Sequence, residues 1–182
     1  TKKNRYVGKV AWPEEDSGKL KVAGFGMKAS NTAPLSKKIQ KGVFELICDG
    51  AQEHQVQEFV YPIAMSVRKG EVPLEEVSMK TRLSMELKDY KVLGGASKAA
   101  TYYNKTHDEK FGKGDSVPWT YVKEEPGIAA YRSPSDLEGY TLDSDTILKK
   151  MLKTKLDSIY STLSWDLEGA LGAPTPKAYG WW

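Results

Sequence analysis

Cysteine and histidine are nearly missing from this sequence, with one of the former and two of the latter in 182 residues. Cys48 has no partner for an internal disulfide. Together with His54 and His107 it cannot furnish the Cys and His ligands of a zinc site. Cys48 instead ends an apolar helical pattern, where a thiol serves as a small hydrophobe. Long apolar runs are missing too: nothing approaches the roughly 20 residues of a membrane-spanning helix. Thr1 to Arg5 also lack the apolar core of a secretory signal, so the expectation is a soluble protein of the cytoplasm with no membrane contact. Gly24-Phe-Gly26 is followed by no third glycine at the spacing of a phosphate loop. Asp143 and Asp145, in Leu-Asp-Ser-Asp-Thr, open like a calcium loop but lack its glycine and distal glutamate, which leaves them to cap a helix. With the serines standing beside no base, no catalytic centre is expected in this chain taken alone.

What is present is a local excess of positive charge. The formal net charge is +3. Residues 1–50 hold ten Lys and Arg against five Asp and Glu, residues 51–100 seven against seven, and residues 101–182 ten against twelve. The whole excess therefore sits in the first quarter. A basic segment attracts nucleic acid by neutralising phosphates and releasing counterions, although a solvated lysine-rich face has the same composition.

A chain of this length buries one sizeable core or two small ones. Residues 5–12 and 19–27 alternate polar and apolar side chains around the turn-forming run Pro13 to Gly18, which predicts an antiparallel hairpin. The period then becomes helical. Thr32 or Asn31 can cap a helix whose first turn holds Pro34 and whose stripe is Leu35, Ile39, Val43, Leu46 and Ile47. A second helix is predicted over 51–68, kinked near Phe59 or broken by Pro62. Further on, the pattern predicts partly extended chain over 74–83, a short helix over 85–90, a tightly packed helix over 97–106 and a strand over 117–122. A broad apolar stripe from Ile147 to Leu163 predicts a long late helix over 146–163, with Asp145 as its cap. The tail 172–182, with Pro174 and Pro176, reads as extended or disordered until bound. The fold class expected is α+β: an N-terminal antiparallel β-hairpin, then a mostly helical region with a small β insertion.

Four blocks then occur in order: Lys2-Lys3-Asn4-Arg5-Tyr6-Val7-Gly8; Gly24-Phe25 with Ser30-Asn31-Thr32-Ala33-Pro34-Leu35; Leu87-Lys88-Asp89-Tyr90-Lys91; and Gly114-Asp115-Ser116-Val117-Pro118-Trp119-Thr120-Tyr121-Val122. This series resembles the carboxy-terminal end of family B DNA polymerases, from the last strands of the palm through the thumb, and the resemblance covers nearly the whole chain. It implies three parts: a palm-edge hairpin over 1–30 with a Lys-x-Tyr-like block, a thumb over 31–171, and a tail over 172–182. The resemblance further implies that the chain grips duplex primer-template DNA during replication and completes a catalytic fragment or subunit. That partner would carry the aspartates for Mg2+ and nucleotidyl transfer, because this chain lacks both palm aspartate motifs and the exonuclease carboxylates.

The DNA-contacting residues the resemblance implies are Lys2, Lys3, Asn4, Arg5, Tyr6, Lys28, Ser30, Asn31, Lys80, Arg82, Lys91 and Lys98. The sequence departs from the family's pattern at three places. Asn4 stands where the lysine of Lys-x-Tyr belongs, which passes that contact to Arg5 or Lys3. Met85 occupies a position that is often basic, with Lys80 and Arg82 upstream, and Gly95-Ala96 replaces a Pro-His pair. In the tail, Tyr179, Trp181 and Trp182 form an aromatic cluster suited to a sliding clamp, to packing on the palm, or to disorder. A different class remains open: a structural or assembly subunit that acts through protein contacts and whose basic start serves solubility.

Overall fold

The computed structural model describes residues 5–27, 29 and 31–172. The fold is α+β, with a two-stranded and a three-stranded antiparallel sheet beside a helical layer. The hairpin forms as expected but with shorter strands, β1 (Tyr6–Lys9) and β2 (Leu20–Ala23), in a register that sets Tyr6 opposite Ala23 and Lys9 opposite Leu20. Beyond the strands, Val10 N–H donates to Lys19 O and Gly18 N–H returns to Val10 O, so the ladder continues loosely toward the turn. Lys9 also pairs with Asp49, which fastens the hairpin to the end of the first helix.

That helix, α1 (Pro34–Cys48), buries Leu35, Ser36, Ile39, Gln40, Val43 and Phe44, while Leu46 and Ile47 are only half-buried. Pro34 occupies its first turn as predicted, but neither Asn31 nor Thr32 caps it. Ala33 stands at the cap position; the Leu35 N–H that a cap would have helped to satisfy donates instead to Glu76 O, 2.9 Å away. The Thr32 hydroxyl turns back to Gly26 O. A nonlocal carbonyl has taken the place of a local side chain.

Helix α2 (Glu53–Lys69) runs through Pro62 without the expected break. Pro62 and Glu58 both face solvent, so water can serve the Glu58 carbonyl that the proline leaves without its helical partner. The Gln52 N–H donates to Gln55 Oε1 at the start of this helix, and Gly70, at φ 71°, ends it.

The second sheet has the order β3-β4-β5, formed by β3 (Met79–Arg82), β4 (Ser116–Tyr121) and β5 (Ile128–Ala130). Met79 faces Trp119, Arg82 faces Ser116 and Trp119 faces Ala130 across the ladders. β5 escapes sequence reading because its three residues are all buried and show no alternation. The short helix expected over 85–90 is a single turn, Leu87–Asp89. Helix α3 (Gly95–Thr106) lays Ala96, Ala99 and Ala100 against the sheet. Gly95 matters here: a Cβ at that position would stand 2.3 Å from the buried Trp119 ring.

The late helix is one rod over residues 144–163, in three parts: α4 (Ser144–Ile147), a π-helical stretch (Leu148–Lys153) and α5 (Thr154–Leu163). Its cap is Asp143, not Asp145. The Asp143 carboxylate accepts from both the amide and the hydroxyl of Thr146. Burial works against its charge, but these bonds prevail and hold its pKa below the ordinary carboxylate value. The widened stretch has a packing reason. Leu148, Leu152, Leu156 and Tyr160 recur every four residues and all are buried. In a regular α-helix such a row drifts by about 40° per step, and a π-helical turn offsets that drift. A short helix, α6 (Leu167–Ala170), follows, with Asp166 as its cap. α1, α2 and the rod join the face of the second sheet in one continuous apolar core. No helix among the described residues is long and apolar enough to cross a membrane.

Candidate nucleic-acid interface

Lys80 and Arg82 alternate with the inward-facing Met79 and the half-buried Thr81 along β3, an edge strand, so both long cations stand on its outer face. The Arg82 guanidinium donates to Gly114 O at 3.1 Å, which holds it along the neighbouring turn. Lys80 opens into a cleft of about 530 Å3, lined also by Thr32, Pro34, Lys37, Tyr131 and Arg132, with Glu75 the only acid among the lining residues. Three cations therefore meet where the start of α1 approaches the second sheet.

The three differ in freedom. Arg132 is committed: its guanidinium lies 4.2 Å from the Phe111 ring centroid, donates to Lys110 O and faces Glu109 and Asp115 at 3.4 and 3.8 Å. Lys37 and Lys80 have no carboxylate within ion-pair distance among the described residues. They remain available to an external anion, and Asn31 is exposed next to Thr32 at the same end of α1.

Other residues singled out from sequence lie elsewhere. Arg5 is exposed, its guanidinium 5.4 Å from the centroid of Phe25, which packs edge-on to Phe44 of α1. Tyr6 leaves half of its surface open on β1. These two belong to the hairpin, and the cleft that Arg5 lines is a different one from that of Lys80. Lys91 is exposed in the loop before α3. Lys98 is half-buried and donates to Pro126 O at 3.0 Å, so its ammonium ties α3 to the turn between β4 and β5. Lys2, Lys3, Asn4, Lys28, Ser30, Tyr179, Trp181 and Trp182 lie outside the described residues.

Sequence reading passed over Lys37 and Arg132. Lys37 sits in a polar run, Ser36-Lys37-Lys38, with nothing local to distinguish it, and Arg132 lies just over fifty residues beyond Lys80. Only closure of the sheet onto α1 brings them together.

Comparison with known proteins agrees on one family. The model for DNA polymerase family B matches residues 1–163. A DNA polymerase of Archaeoglobus fulgidus is 28% identical over 98 residues, which are 54% of this chain and 12% of that protein. The solved structure of the family B DNA polymerase from the hyperthermophilic archaeon Pyrobaculum calidifontis is similar with a TM-score of 0.64 at 21% identity, over 83% of this chain and 19% of that one. The likeness to that structure is one of fold, and this chain spans only a small part of either relative's length.

Proposed function

This chain belongs to DNA polymerase family B, and we propose that it is the thumb of such an enzyme, with the hairpin as palm edge, gripping primer-template duplex while a partner catalytic fragment performs nucleotidyl transfer. The observation that carries the reading is the outer face of β3, an edge strand from which Lys80 and Arg82 project, with Lys37 of α1 beside Lys80 in the shared cleft. Cations fixed on regular structure neutralise phosphates and set the register of a duplex without reading its bases. Among the described residues no three His, Cys, Asp or Glu side chains stand together as metal ligands. In this proposal the Mg2+ of the reaction belongs to the partner's palm, and the present chain contributes binding and orientation.

The test is reconstitution. The purified chain should incorporate no nucleotide, and should restore primer extension when mixed with a catalytic fragment from the same source. Extension unaffected by added chain, in a fragment that binds it, overturns the proposal.

A second reading, a subunit that assembles through protein contacts, draws on Trp12, which is 82% exposed in the loop of the hairpin. Partner binding insensitive to salt, with no affinity for duplex DNA, would favour that reading.

A further inference from the structure

A second polar cleft, of about 370 Å3, opens between the hairpin, the middle of α1 and the start of α5. Arg5 and Phe25 form one side, Gln40 of α1 another, and Thr154, Lys155 and Ser158 at the start of α5 a third. Arg5 is propped against Phe25, and neither Arg5 nor Lys155 has a carboxylate at ion-pair distance among the described residues. The Ser158 hydroxyl makes no hydrogen bond within the described structure, whereas that of Thr154 is spent on Lys149 O at 2.8 Å. Two cations and one hydroxyl donor therefore converge, opposed by Asp157, which lines the same cleft.

The orphaned acceptor is the second observation. Gln40 is only 1% exposed; its Nε2 donates to Lys155 O, and its Oε1 has no partner. A buried acceptor without a donor is costly. A water that donates one hydrogen to Gln40 Oε1 and the other to an anion in the cleft would satisfy both. The π-helical stretch ends at Lys153, immediately before this cleft, and such irregular turns recur at binding sites.

We propose that this cleft seats one phosphate group of the duplex backbone, bound by Arg5, Lys155 and Ser158, as a contact additional to the β3 face. The inference rests on the duplex-binding reading above. Lys155 and Ser158 are the new assignments. Asp157 keeps the contact weak, which suits a surface that must release and regain successive phosphates as the duplex advances.

The experiment measures affinity of the whole chain for a blunt duplex of about 24 base pairs by fluorescence anisotropy, from 50 to 250 mM NaCl. One phosphate contact contributes about 0.9 to the slope of log K against log salt. Lys155→Gln should lower the slope by up to that amount, since Arg5 stays in the cleft, and Asp157→Asn should tighten binding. Lys69→Gln removes the same charge at the exposed end of α2, outside the cleft, and should change the slope less. Thermal unfolding verifies that each variant is folded. A slope unchanged by Lys155→Gln, or lowered equally by Lys69→Gln, overturns the cleft and leaves the β3 reading standing. Absence of duplex binding by the unaltered chain overturns both. Titration with sodium phosphate at matched ionic strength separates the sources: phosphate binding sensitive to Lys155→Gln, with duplex binding insensitive to it, would assign the cleft to a free anion and overturn the backbone contact.

Discussion

The Nε2 of Gln40 donates to the backbone carbonyl of Lys155 at 3.1 Å, one helical turn along from Ser36, whose hydroxyl donates to the carbonyl of Met151 at 2.9 Å. Two polar side chains four residues apart on α1 thus meet two carbonyls four residues apart on the rod. The rod is π-helical up to Lys153, so the regular ladder is disturbed here and side chains from a neighbouring helix help serve its carbonyls. Buried Ser and Gln on an otherwise apolar stripe are the sequence counterpart of the irregular turn.

Removing that zipper should loosen the contact of α1 with the rod. Gln40→Ala removes a donor from the part-buried Lys155 carbonyl, and a loss of about 0.5–1.5 kcal/mol is expected. For a chain of this size about 1 kcal/mol corresponds to roughly 2–4 °C in Tm. Urea unfolding of Gln40→Ala and Ser36→Ala checks this, and unchanged midpoints would show that the carbonyls are served otherwise.

Gly95→Ala tests the approach of α3 to the sheet. The added Cβ would overlap the Trp119 ring, which is buried and held by a bond from its Nε1 to the Thr81 hydroxyl. Overpacking of this kind costs about 1–3 kcal/mol. The expected result is a lowered unfolding midpoint with altered Trp fluorescence; wild-type stability would mean that the ring moves aside freely.

Acid should weaken the fold partly through Asp136. Its carboxylate accepts from Arg132 N–H at 2.7 Å, Ser133 N–H at 3.1 Å and the Tyr103 hydroxyl at 3.2 Å. Burial raises its pKa, but those donors outweigh burial and the net shift is downward. A depressed folded pKa stabilises the native state fully above the unfolded value, near 3.9, and loses that contribution as pH falls through the folded one. Asp136→Asn should therefore reduce stability at neutral pH and flatten its decline below about pH 4. Parallel acid-unfolding curves for the variant and the unaltered chain would refute this role.

Duplex affinity should depend on the outer face of β3. The double variant Lys80→Gln, Arg82→Gln is expected to reduce the salt slope by about 1 to 2. Lys98→Gln should instead act on stability, because the Lys98 ammonium is already bound to Pro126 O. A salt slope lowered by Lys98→Gln and untouched at Lys80 and Arg82 would move the interface from β3 to α3.

Much of the architecture follows from local pattern. Alternation around Pro13 to Gly18 specified the hairpin; the stripes beginning at Leu35, Val56 and Ile147 specified three helices, and the ordered blocks from Lys2 to Val122 pointed to the family. These features depend on periodicity, which neighbouring residues carry. The α1 cap, the strand β5 and the π-helical turn did not follow from it. Each depends on a distant partner: Glu76 O for Leu35 N–H, β4 for Ile128 to Ala130, and Ser36 and Gln40 for the rod.

The same division runs through the candidate site. Sequence alone determined which cations exist and where they stand relative to the family blocks, so Lys80 and Arg82, upstream of the third block, could be singled out. Only the tertiary structure decided that Lys37 and Lys80 share a cleft, that Arg132 is committed beside them, and that Lys98 is tied to a carbonyl. Charge is a property of the residue, but its availability to a phosphate depends on which acceptors the fold brings within reach.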